Sequence, residues 1–87
     1  MDVFVVERHM VGWTPGEVDD LVRRVEAARE ELATSGARHL GTLVMPTDEI
    51  CWDLFEGADA DTVAAANTGL ALPVDRILPA RTSAITP

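Results

Sequence analysis

The side chains best equipped to hold an ion or move a proton are Glu7, His9, His39, Cys51 and Asp53. Glu7 and His9 end a short apolar run, Val3-Phe4-Val5-Val6, that reads as a strand. Successive strand residues face opposite ways, so Val3, Val5, Glu7 and His9 share one side, and Phe4, Val6 and Arg8 the other. A carboxylate and an imidazole two positions apart can converge on one ion, and that donor set suits Ni(II), Cu(II) or Zn(II) alike. Asp53 lies in a second apolar run, Ile50 to Glu56. A carboxylate in mid-strand is expected to avoid the dry side of a sheet, which would put Cys51, Asp53 and Phe55 on the open face and Trp52 and Leu54 beneath helices. Antiparallel pairing of the two runs would then bring Glu7 near Cys51 or Asp53. The candidate metal ligands are therefore Glu7, His9, Cys51 and Asp53, with completion across a dimer interface.

Plainer roles compete at each position. Cys51 also suits a small buried hydrophobe, Glu7 and Arg8 suit rim charges, and Asp53 suits an ion pair with Arg76. His39 is expected to face solvent, Asp75 and Arg76 to pair with each other, and Trp13 and Trp52 to anchor a core or an interface. No catalytic residue is assigned. The sequence has no nucleophile elbow, no phosphate-cradling glycine loop and no Cys-x-x-Cys or His-Glu-x-x-His arrangement.

The elements that must position these residues follow from local signals. Thr14-Pro15-Gly16-Glu17 is a capping box with proline in the first turn, and Val18, Leu21, Val22, Val25, Ala28 and Leu32 keep helical spacing behind it. This predicts one helix from about Pro15 to about Ser35, ended by Gly36. Arg38 to Met45 reads as a strand whose Gly41 suits an edge or a bulge. Pro46-Thr47-Asp48-Glu49 turns it back into the Ile50 strand as a hairpin. Asp59 caps a second helix with Val63, Ala66 and Leu70 inward, and Val74 to Leu78 makes a last strand. The order β-α-β-β-α-β is the split βαβ arrangement of ferredoxin-like folds, an α+β domain with a four-stranded antiparallel sheet and two helices on one face. It would span residues 1–80, followed by a tail at 81–87.

At 87 residues the chain makes one domain burying about 60–65% of its unfolded surface, a thin core. The uncovered sheet face is expected to pack on a second copy as a homodimer. Fifteen acidic residues against seven basic ones give a net charge of −8 at pH 7, and lysine is absent. Such a balance argues against nucleic acid, which needs clustered cations. One cysteine excludes an internal disulfide framework. No run approaches the roughly 18–20 apolar residues of a membrane span, and no basic leader with an apolar stretch precedes the first strand, so a cytoplasmic location is expected.

Four stretches carry a resemblance: Val5-Val6-Glu7-Arg8-His9, Thr14-Pro15-Gly16-Glu17, Cys51-Trp52-Asp53-Leu54-Phe55-Glu56 and Leu72-Pro73-Val74-Asp75-Arg76-Ile77. Together they resemble the small bacterial ferredoxin-like proteins described as nickel-binding, from Val3 to about Ala80. Asn67-Thr68-Gly69-Leu70-Ala71-Leu72-Pro73 departs from the Ala-Gly-Leu-Pro such proteins tend to carry. The resemblance implies nickel but assigns no ligand. The expected function is a non-enzymatic, homodimeric binder of a divalent transition metal, nickel favoured. The alternatives are a cofactor-independent monooxygenase-like α/β-barrel enzyme, by fold analogy, and a protein-interaction module.

Overall fold

A computed structural model describes residues 2–83. Residues 84–87, most of the expected tail, lie outside the described residues. Four strands, β1 (Asp2–His9), β2 (Arg38–Met45), β3 (Ile50–Gly57) and β4 (Arg76–Ala80), form one antiparallel sheet in the order β2-β3-β1-β4. Three helices, α1 (Pro15–Ala27), α2 (Arg29–Thr34) and α3 (Ala60–Thr68), join them. The domain is thus α+β, with β1 and β3 central.

The start of α1 forms as expected. Thr14 Oγ1 accepts from the Glu17 N–H at 3.2 Å, and Glu17 Oε1 accepts from the Thr14 N–H at 2.9 Å, satisfying two otherwise orphaned donors. The expected single helix is interrupted at Ala28, whose φ of −93° and ψ of 4° leave the helical region. Alanine does not break helices, so the cause is tertiary: α2 lies against β2 and keeps Leu32 fully buried. A Schellman turn ends α2. The Gly36 N–H reaches the Ala33 carbonyl at 3.0 Å and the Ala37 N–H the Leu32 carbonyl at 2.9 Å, with Gly36 at φ 93°, where only glycine sits without strain.

β2 is an edge strand, with an irregularity between His39 and Gly41 that leaves Leu40 unpaired. β4 begins two residues later than the sequence suggests and runs through Pro79. An edge strand tolerates the missing N–H. Asp59 caps α3, accepting the Thr62 N–H at 2.7 Å.

Phe4, Val6, Cys51 and Phe55 from the sheet meet Leu21 and Val25 of α1, Leu32 of α2, and Val63 and Ala66 of α3 in one core. Asp53 shares this helix side. Pairing of Val6 with Asp53, Arg8 with Cys51 and Phe4 with Phe55 fixes that face. This reverses the expected orientation of β3: Cys51, Asp53 and Phe55 point under the helices, while Trp52 and Leu54 lie on the open face, only partly buried. The reason is that Asp53 is not alone there.

Candidate functional site

Asp53 is the centre of a buried polar network on the helix side. Its Oδ2 accepts from Arg8 Nε at 2.8 Å, and its Oδ1 accepts from His39 Nε2 at 2.8 Å and from the Thr42 hydroxyl. Arg8 is itself fully buried and donates further to the Pro73 carbonyl at 2.5 Å and to Asn67 Oδ1 at 2.8 Å. His39 Nδ1 accepts from Arg29 Nε at 2.9 Å. Because a guanidinium can only donate, Nδ1 carries no proton and Nε2 does. His39 therefore sits as the neutral tautomer between Arg29 and Asp53, a buried residue and not the solvent-facing one expected.

Burial pushes the Asp53 carboxyl up, but the hydrogen bonds from His39 and Thr42 and the Arg8 charge outweigh it and hold the group below its ordinary value. Cys51, beside it with Sγ 3.8 Å from Oδ2, has no such donors. Desolvation and then the Asp53 charge push its buried thiol up to about 12, which disfavours the nucleophilic thiolate. Among the described residues, no buried side-chain nitrogen or oxygen lacks a partner.

The other face carries a different cluster. Glu7 Oε2 lies 2.9 Å from His9 Nε2 and 3.2 Å from Arg76 Nε, while Oε1 accepts from Trp52 Nε1 at 2.9 Å. Cross-strand register explains this convergence, since Glu7 pairs with Trp52 on β3 and with Arg76 on β4. The His9 hydrogen bond, then that from Trp52, hold the Glu7 carboxyl down to about 2, against desolvation and with help from Arg76. Asp75 does not pair with Arg76; its Oδ2 accepts the His9 N–H at 2.7 Å, fixing the end of β1. The His9 ring remains half exposed.

Of the four expected ligands, then, the structure brings Glu7 to His9 and Cys51 to Asp53, on opposite sides of one sheet. Asp53 is paired with Arg8, not Arg76. Among the described residues, no group of three or more His, Cys, Asp and Glu is gathered as metal ligands would be. Glu7 and His9 lie together on the open face, with both Glu7 oxygens bonded: Oε2 to His9 and Arg76, Oε1 to Trp52. Asp53 and Cys51 are sealed under the helices, 0% and 1% exposed, with the Asp53 oxygens held by Arg8, His39 and Thr42.

Sequence reasoning missed Arg8, His39, Thr42, Arg29 and Asn67 as a set. The available signal was that Arg8 alternates with Phe4 and Val6, and Asp53 with Cys51 and Phe55, so each charge belongs to an apolar file that can bury it against the other.

A cleft of about 600 Å³ opens at the β1 end of α1, walled by Met10, Trp13, Val18 and Val44. Neither His9 nor His39 lines it. Among the described residues, no helix is long and apolar enough to cross a membrane.

No family model matches the chain, and no curated protein is found to match it. Among solved structures, the chain is similar to the crystal structure of SCO4226 from Streptomyces coelicolor A3(2), with a TM-score of 0.71 and 18% sequence identity. The match covers 94% of this chain and 99% of that one. At that identity the likeness shows a shared fold and nothing more.

Proposed function

We propose that the protein is a non-enzymatic binder of a divalent transition metal, nickel favoured, that works as a homodimer through the open face of its sheet. The observation that carries the reading is the Glu7–His9 pair: a carboxylate held ionised, 2.9 Å from a half-exposed imidazole, on the uncovered face. An ionised carboxylate with a neutral imidazole is a donor pair for Ni(II), Cu(II) or Zn(II). Two donors are too few for any of these ions, and a second copy laid on the same face would supply two more. Cys51 and Asp53 take no part.

Support for the dimer comes from the same face. Val3, Val5, Leu54 and Leu78 are only partly buried on it and Leu43 is 55% exposed, a continuous apolar surface on a thin-cored domain. The β2-β3-β1-β4 order supports a ferredoxin-like reading, and such sheets can pack face to face as a two-subunit α/β barrel. The resemblance of the Glu7-Arg8-His9 and Leu72 to Ile77 stretches to nickel-binding proteins favours that ion over copper or zinc. Arg76, 60% exposed in its side chain, is free to swing away from Glu7 when a cation enters. No observation favours the monooxygenase-like alternative, because the cleft between α1 and the sheet is reached by neither His9 nor His39.

Titration calorimetry of tag-free apo-protein with Ni(II), beside analytical ultracentrifugation, tests both halves. Saturable uptake that is lost in His9→Ala and in Glu7→Gln, by a dimeric species, is the expected result. Absence of saturable uptake, or uptake unchanged in His9→Ala, overturns the metal reading. A monomer at tens of micromolar overturns the dimer.

A further inference from the structure

The cleft beside α1 is used by neither cluster, and its construction is specific. Its floor is Met10, 3% exposed, where the chain leaves β1. One wall is Trp13 with the first turns of α1, including Val18 and Asp19; the other is Val44 of β2 with the β2–β3 turn, including Glu49. Two carboxylates and no basic side chain line it.

Glu49 is fixed in place from both its backbone and its side chain. The residue adopts a left-handed φ of 54°, a conformation unfavourable for a residue other than glycine. It is held there by the Met10 N–H donating to its carbonyl at 2.8 Å and the Gly12 N–H donating to its Oε2 at 2.8 Å. Glu49 thus lines the cleft with Oε2 bonded and Oε1 unused among the described residues. Asp19, on the facing helix, makes no ion pair among the described residues, whereas its neighbour Asp20 is taken by Arg23. Both charged residues of the lining are acidic, in a chain whose net charge is −8.

A volume of about 600 Å³ lies within the roughly 300–1,000 Å³ over which clefts hold a drug-sized molecule. An anionic ligand would meet two like charges, and a cationic one two opposite charges. We infer that the Met10–Trp13–Val44 cleft is a binding site for a small organic amine, its apolar body against Met10, Trp13 and Val18 and its ammonium between Asp19 and Glu49. Trp13 adds an aromatic surface of the kind that attracts cations. The site is independent of the metal reading and uses none of its residues.

The test is nitrogen–proton NMR of the full-length, metal-free protein titrated with 4-phenylbutylamine, 4-phenylbutan-1-ol and 4-phenylbutanoate. The Trp13 indole N–H is the reporter, and the Trp52 indole, bonded to Glu7 on the open face, is the internal control. The amine is expected to shift Trp13 saturably and leave Trp52 still, with the alcohol at least tenfold weaker and the acid without effect. Asp19→Asn with Glu49→Gln, which keeps an acceptor for the Gly12 N–H, is expected to reduce the amine to the affinity of the alcohol. Equal binding of amine and alcohol, amine binding unchanged in the double variant, or no saturable Trp13 shift each overturns the assignment.

Discussion

Replacing Arg8 by Met removes the one full positive charge that directly faces Asp53 and keeps much of the apolar stem. In the folded protein Arg8 is fully buried and donates to Asp53 Oδ2, Asn67 Oδ1 and the Pro73 carbonyl. The variant leaves an ionised carboxylate 0% exposed with only His39, Thr42 and the weak Cys51 thiol as donors, and strands two further acceptors. Removing one partner of a buried ion pair costs about 3–5 kcal/mol, against a total stability of about 5–15 kcal/mol for a domain. At about 4–8 °C per kcal/mol for a domain of this size, the midpoint should fall by about 12–40 °C, or the variant should fail to fold. Urea denaturation followed by circular dichroism reads the loss. Asp53→Asn, which keeps hydrogen-bonding capacity while removing the negative charge, gives the second corner of a double-mutant cycle. Arg8→Met with Asp53→Asn should be less destabilised than the sum of the single changes, since neither ion is then left unpaired. A cost for Arg8→Met below about 1 kcal/mol, or strict additivity in the cycle, would refute the view that this pair is mutually dependent. The pH dependence has a definite sign. Asp53 titrates below its unfolded value, so its stabilisation is present above the unfolded carboxyl pKa, near pH 4, and is lost as pH falls through the folded value.

Two further outcomes follow from the same geometry. Glu7, held down to about 2 from 4.5, should contribute stability that is complete above about pH 4.5 and lost as pH falls toward 2; Glu7→Gln should flatten that part of the acid-denaturation curve, and an unchanged curve would contradict the assigned hydrogen bonds. Cys51, 1% exposed and pushed up to about 12, should resist iodoacetamide at pH 8 in the native protein and react fully in urea, as mass spectrometry would record; rapid native labelling would mean the core opens.

Local chemistry in the sequence was enough to locate every strand, the Thr14–Glu17 capping box, the Asp59 cap and the Gly36 helix end, because each of these depends on a few adjacent residues. The β2 irregularity at Gly41 and the pairing of β1 with β3 were legible for the same reason: a glycine in a strand and the order of the elements leave few arrangements. The break at Ala28 was not, since it answers to the packing of α2 on β2 rather than to any helix breaker. Nor was the facing of β3. Both of its alternating files carry apolar groups, Cys51 and Phe55 in one and Trp52 and Leu54 in the other, so periodicity alone could not choose between them, and the usual aversion of a carboxylate to burial pointed the wrong way.

What the amino-acid order determined by itself was the four strands and the face shared by Glu7 and His9, because alternation along one strand is a property of the backbone. Tertiary structure alone decided that Asp53 goes inside. Only when β1, β2 and β3 lie side by side do Arg8, His39 and Thr42 reach its two oxygens, and a buried carboxylate is tolerable because residues 45, 14 and 11 positions away in sequence arrive together to satisfy it.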